Sequence, residues 1–511
     1  MSKAQAVTEK MSQYRWHIVA MLFVATTINY LDRQVLSLTW KDFIAPEFHW
    51  TNTHYGTITS LFSLFYAFGM LFAGKFIDWL DTKKGFMWAI FIWSIGAVLH
   101  AFAGIATSGI ITGNWFVGFA EAREIIAGIE NVSRVLNVSV VLFIFARLVL
   151  ALGEAGNFPA AIKATAEYFP KKDRALATSI FNAGAIIGAL AAPVTIPVIA
   201  KHFGWESAFI IIGALGFIWM GWWQWAYKKP EVHPKVNKAE LDYILQDHDN
   251  VVGGAAASKA ADAKKITFKQ AVRYKQTWAF AFGKFMTDGV WWFYLFWTPA
   301  YLSSVYGLES SDPKAQLALF VLYFITLLSI IGGWLPNFLV EKKGMEPYAG
   351  RMKAMLIFAF FPLFALLAQP LGAYSYWFPI IIIGIAGAAH QAWSANIFST
   401  VGDMFPKGAI ATIVGIGGMA GGLGSVLINK SSGMLFDFAR GTGIANGETV
   451  VMTQEYINQG IEYVRQPMVL FGFEGEKAGY LIVFSFCAIA YLIGWVVMKA
   501  LVPKYKPIVL D

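Results

Sequence analysis

Twelve apolar runs of about 20 residues recur along this 511-residue chain, and they limit its fold more than any other feature. Such a run crosses a hydrocarbon core of roughly 30 Å as an α-helix. The runs fall at 16–38, 55–75, 85–106, 139–162, 176–200, 205–227, 277–302, 315–340, 351–369, 376–401, 410–430 and 479–501, numbered here as spans 1 to 12. Composition agrees: 57% of residues are hydrophobic and 14% charged, against about 25% charged in a soluble protein. The 20 Trp and 43 Phe fit a large lipid-facing surface with aromatic belts. The N-terminal "MSKAQAVTEKMSQYRW" is polar, with no short apolar core and small-residue cleavage site, so span 1 is expected to be a retained helix. The only cysteine, Cys487, excludes a disulfide within the chain, and neither metal site nor cofactor is expected.

The charges follow the topology. With span-end residues counted in the loops they border, 28 of the 40 Lys and Arg lie on the side of both termini and 9 on the other, leaving Arg33, Arg147 and Lys284 inside spans. This bias places both termini of a multi-pass membrane protein in the cytoplasm. It also removes nucleic acid as the reason for the net charge of +8, because the basic residues track a membrane face.

The long segment 228–276 separates six spans from six, giving an N-terminal bundle (1–227), a cytoplasmic linker and a C-terminal bundle (277–511). The linker holds a short amphipathic stretch, "KAELDYILQD", and a flexible low-complexity run, "GGAAASKAADAKK". Two fragments repeat across it. "GKFIDWLDTKKG" (74–85) matches "GWLPNFLVEKKG" (333–344), and "FPKKDRALAT" (169–178) matches "FPKGAIAT" (405–412) with a two-residue gap. Parallel halves of this kind predict an all-α membrane protein of twelve transmembrane helices, with a site between the halves near the midplane. Two unusually long loops on the other side, 107–138 and 431–478, are expected to be structural caps.

Charges inside the spans indicate function, since each costs roughly 2.5–3.5 kcal/mol near the middle of a membrane helix. Asp32 and Arg33 are adjacent on span 1 and project about 100° apart, so one can face a cavity and the other a neighbouring helix. Arg147 and Glu154 lie seven residues apart on span 4, on one face and about 10.5 Å apart in rise. They form either two structural ion pairs or a substrate and proton site. Buried pairs stabilise little after desolvation, which favours the second reading. In the second half, Lys284 and Asp288 suit an intrahelical pair or an anion anchor. On span 10, His390, Gln391, Trp393, Ser394 and Asn396 suit either substrate or neighbouring helices. The glycines of "GEAGNFP" (153–159) and "GIGGMAGGLG" (415–424) read as close helix contacts rather than phosphate loops. No set of catalytic residues is recognisable, and an enzyme is not expected.

"GKFIDWLDTKK" resembles the loop 2–3 signature of the major facilitator superfamily, with Asp81 and Thr82 where its later Gly and Arg stand. "NYLDRQ", residues 146–184 and "DMFPKGAIATIVGIGGMAGG" (403–422) resemble that superfamily's anion:cation symporter branch. "FMTDGVWWFYLFWTPAYL" (285–302) and "AHQAWSANIF" (389–398) are most similar to bacterial hexuronate transporters. The resemblance implies that Arg33 binds a substrate carboxylate, that Asp32 and Glu154 carry protons with Arg147 as coupling partner, and that Asp78 latches one access state. It adds Tyr30, Tyr66 and Lys284 to the cavity, beside the polar residues of span 10. The expected function is proton-coupled import of galacturonate or glucuronate by a monomer in the lipid bilayer. A galactonate carrier, or an uncoupled facilitator or exchanger, is the alternative.

Overall fold

The computed structural model describes residues 10–246, 266–445 and 447–508; the run "GGAAASKAADAKK" lies outside them. Each expected span is helical. Span 1 is Tyr14–Thr39, spans 2 and 3 form the continuous stretch Asn52–Ala101, and span 4 is Val132–Glu154 followed by Asn157–Tyr168. Spans 5, 6 and 7 are Lys171–Phe203, Trp205–Ala226 and Lys275–Tyr306. Span 8 runs from Pro313 to Glu341 through a 3₁₀ segment, Thr326–Ile330, and span 9 from Pro347 to Gly372 through another, Phe361–Leu367. Spans 10, 11 and 12 are Trp377–Met404, Lys407–Arg440 and Glu476–Leu501.

Among the described residues, nine helical stretches are long and apolar enough to cross a membrane, and spans 2 and 3 share one of them. Spans 1 and 7, the first of each half, fall short on apolarity. They are the helices that carry Asp32–Arg33 and Lys284–Asp288.

The two long loops differ from the sequence reading. Segment 107–138 contains the end of one helix, Ala103–Thr112, then a second, Phe119–Ala127, and the first turns of span 4, which starts at Val132 rather than 139. Segment 431–478 opens with the last turns of span 11. It then forms strands β1 (Thr442–Ala445), β2 (Glu448–Val451) and β3 (Tyr463–Arg465), ordered β2-β1-β3, and a hairpin of β4 (Val469–Leu470) and β5 (Phe473–Glu474). The fold is thus all-α apart from this small cap.

Two junctions show how local chemistry sets the chain path. Spans 2 and 3 meet at Asp81, with φ 67° and ψ 158°, a region that glycine alone enters without cost. The Thr82 N–H donates to Asp81 Oδ1 at 2.9 Å and partly offsets that strain. At the N-terminus, the linker helix Lys238–Leu245 forms where "KAELDYILQD" predicts it. Its Glu240 accepts the Tyr14 and Arg15 backbone N–H groups and the Arg15 guanidinium, all at 3.0 Å. One linker carboxylate therefore satisfies two first-turn donors of span 1 and complements its dipole.

The halves meet through span 2 against span 11, span 5 against span 8 and span 1 against span 7. A Cβ on Gly56 would lie 2.6 Å from the Asn429 carbonyl, so only glycine allows spans 2 and 11 to approach this closely. Ser63 and Ser425 share a hydrogen bond at 2.8 Å, and the Tyr55 hydroxyl donates to the Phe296 carbonyl at 2.9 Å. Further along, Asp42 accepts from Ser303 (2.5 Å) and Ser310 (2.8 Å), and Glu476 accepts from Asn52. These bonds between halves lie from the middle of the bundle to the end opposite the termini.

A candidate substrate and proton site

Arg33 projects from span 1 into a box of three rings. Its guanidinium lies 5.0 Å from the centre of Tyr30, 4.7 Å from Tyr66 and 5.0 Å from Trp292, the last contributed by span 7 of the other half. Rings at this range hold a cation by their quadrupoles, more strongly where water is excluded. Glu154 Oε2 accepts from Arg33 Nε at 2.9 Å and Nη2 at 2.7 Å. Glu154 is fully buried and Arg33 only 3% exposed, so the pair is sealed from solvent on the seam between the halves. Span 4 delivers Glu154 in the last turn of Val132–Glu154, just before the helix breaks at "AGN".

Asp32 faces the other way, as the 100° offset requires. It is buried, and neither of its oxygens has a hydrogen-bond partner among the described residues. Arg147 is placed similarly, with Nε and Nη1 donating to nothing and the guanidinium 5.0 Å from the Phe62 ring. Glu154 Oε1 is also unpartnered. Of the four charges, the structure brings Arg33 and Glu154 into contact. Arg147, expected beside Glu154, makes no hydrogen bond to it. A buried charged group without a hydrogen-bond partner is costly, and neither Asp32 nor Arg147 Nε and Nη1 recovers that cost through a hydrogen bond here.

The second half presents Lys284, whose Nζ is 2.7 Å from Asp288 Oδ2 and 4.4 Å from the Phe398 ring centre. His390 Nδ1 bonds the Tyr491 hydroxyl at 2.9 Å, and its ring stacks on Trp291. Trp393 is buried edge-on against Tyr491. The Asn396 amide is spent on the Gly332 and Ala392 carbonyls and so ties span 10 to span 8. Gln391 and Ser394 are partly buried on span 10. Asp78 lies away from this site, exposed between spans 2 and 3, and pairs with Lys163 of span 4 in its own half at 2.9 Å. An open cavity of about 730 Å³ lies elsewhere, at the end opposite the termini, lined by Asp42, Glu47, Arg123 and Lys201 among others.

Sequence reasoning missed Trp292 and Phe62, because nothing marks one ring among so many. It also passed over Asn29, Gln34 and Asn157, which are buried with unpartnered side-chain atoms in the first half. Their signal was available: amides inside apolar runs.

Two six-helix halves closing over the buried Arg33–Glu154 pair on their seam define a membrane transporter. The chain belongs to the Major Facilitator Superfamily, whose family model matches residues 22–428, and it is not an enzyme. It is 28% identical over 431 residues to the "Hexuronate transporter" of Escherichia coli (strain K12), covering 84% of this chain and 89% of that protein. It is 26% identical over 327 residues to the "Galacturonate transporter" of Dickeya chrysanthemi, covering 64% and 83%. Its fold matches the crystal structure of a bacterial homologue of the human lysosomal transporter Spinster, in the inward-facing and occupied conformation. The TM-score is 0.63 at 17% identity, over 96% of this chain and 97% of that one.

Proposed function

We propose that the protein is a proton-coupled symporter that imports a hexuronate, galacturonate or glucuronate, across a bacterial inner membrane by alternating access. The observation that carries this reading is the Arg33–Glu154 pair inside its aromatic box on the seam. A planar guanidinium suits a carboxylate, and tyrosine and tryptophan rings suit a sugar ring. An incoming hexuronate carboxylate takes the place of Glu154 on Arg33. Glu154 then stands as a buried carboxylate without its cation and takes up a proton. Asp32, beside Arg33, is the second protonation site, and Arg147 balances both carboxylates. Release reverses each step on the other side of the membrane. Lys284, His390, Gln391, Trp393 and Ser394 read the rest of the sugar, while Asp78 latches one state.

Similarity to a hexuronate transporter and a galacturonate transporter supports this substrate class. With the termini cytoplasmic, the end where Asp42 and Glu476 tie the halves together faces outside. Accumulating an anion against a negative interior needs cotransported positive charge, since each charge is worth about 2.3 kcal/mol per 100 mV, and the buried carboxylates suit protons in that role. The test is uptake of labelled galacturonate into liposomes containing the purified protein. The expected result is accumulation under an inward proton gradient, competed by glucuronate and lost in Arg33→Ala. Equilibration without accumulation contradicts coupling, and no uptake by folded protein contradicts the hexuronate assignment.

A further inference from the structure

Span 7 carries a second charge pair whose carboxylate the proposed cycle does not use. Lys284, Asp288 and Trp292 follow at intervals of four residues, so they form one sloping row that rises about 6 Å per step. Its upper member, Trp292, packs on Arg33, so the row leads from the Arg33 box into the second half. Lys284 is 5% exposed and Asp288 partly buried, and among the described residues the Lys284 Nζ also meets the face of Phe398. Opposite Asp288, span 11 presents Gly421, where a Cβ would come within 2.3 Å of Asp288 Oδ2. The carboxylate itself fills the place that a side chain at Gly421 would take, so span 11 admits Asp288 only because that residue is glycine. The other titratable groups around the pair are His390 of span 10, in electrostatic range of Lys284, and Tyr491 of span 12, in range of Asp288.

An i,i+4 pair adds a few tenths of a kcal/mol on an exposed helix, whereas burying both charges costs more than their attraction returns. The pair therefore needs a reason other than stability. We infer, on the reading proposed above, that Lys284–Asp288 is a second anion-for-proton exchange site, taking the far carboxylate of a sugar acid that carries one at each end. The charges balance. At rest the pair is neutral. A substrate carboxylate on Lys284 frees Asp288 as an anion, leaving the site at −1, and one proton from the open side, bound to Asp288, restores neutrality. On release the proton leaves Asp288 and the pair re-forms. A hexuronate offers hydroxyls at that end, so Asp288 keeps its cation and takes no proton.

The experiment measures protons carried per substrate in liposomes, with an internal pH dye and labelled galacturonate or galactarate. Wild-type protein is expected to carry galactarate with one proton more than galacturonate, and Asp288→Asn to carry it with one fewer than wild type. Asp288→Glu is expected to restore the ratio. Equal proton ratios for the two sugars in the wild type overturn the inference, as does an unchanged galactarate ratio in Asp288→Asn. Uptake of galacturonate without galactarate also overturns it. Failure of both sugars in the wild type overturns the hexuronate reading on which it rests.

Discussion

Asp437 on span 11 accepts the backbone N–H of Asn52 at 3.0 Å and of Thr53 at 2.7 Å, so a side chain of one half caps the first turn of span 2 in the other. A helix start lacks partners for its first N–H groups, and here the missing acceptor comes from across the seam. Closing the halves at this end completes span 2, and opening them leaves its first turn bare.

Removing that acceptor should therefore favour opening. Hydrogen bonds to charged groups contribute about 1.5–3 kcal/mol, so Asp437→Ala is expected to shift the equilibrium by roughly 2 kcal/mol, about thirtyfold. The reporter is Ser425→Cys, placed against Ser63 on the seam, in a Cys487→Ser background. Its maleimide reactivity should rise by an order of magnitude or more in Asp437→Ala. Unchanged reactivity would show that other contacts hold this end closed.

Asp81 makes a separate prediction. Its backbone sits where residues other than glycine are strained by about 1–3 kcal/mol, and its exposed pairing with Lys229 at 3.2 Å contributes little. Asp81→Gly should release the strain and lose only the local bond to Thr82. A gain of about 1 kcal/mol follows, read as a higher apparent Tm in detergent, with Asp81→Val falling below the wild type. A lower Tm for the glycine variant would mean that the side chain matters more than the backbone.

Glu47, in the short helix Ala45–Phe48 between spans 1 and 2, gives a pH dependence. Burial pushes its carboxyl from 4.5 up to about 7, against the opposing Trp205 N–H, which donates to Glu47 Oε2 at 2.7 Å. Between those values the folded protein keeps a proton that the unfolded chain releases. This contribution is present at low pH, declines as pH rises through that window and is gone above about 7. Its size is on the order of 2 kcal/mol. Glu47→Gln should therefore lose less apparent Tm than the wild type between pH 5 and pH 8. Parallel profiles would contradict it.

Much of this architecture is legible in the sequence, for a physical reason. Asp32, Arg33, Arg147, Glu154 and Lys284 stand out because a charge in an apolar run is expensive, and the i,i+4 spacing of Lys284 and Asp288 predicts their contact directly. Spacing along one helix does not settle contacts between helices. The two-turn offset places Arg147 and Glu154 on one face of span 4, but that Glu154 meets Arg33 of span 1 depends on how the two helices are rotated against each other. Trp292 is invisible for the same reason, since its role depends on the other half's arrival. Asp437 reads as a loop residue until span 11 is seen to continue to Arg440. The cap strands are two to four residues long, too short for an alternating pattern to register.

The central claim is that substrate and Glu154 exchange places on Arg33, with the proton following Glu154. The most direct test compares two assays on Glu154→Gln in liposomes: counterflow of labelled galacturonate, which needs no proton movement, and accumulation driven by a proton gradient. A glutamine still accepts from Arg33 but carries no proton. The account predicts that counterflow persists while gradient-driven accumulation is lost. Accumulation at the wild-type level in Glu154→Gln would contradict it.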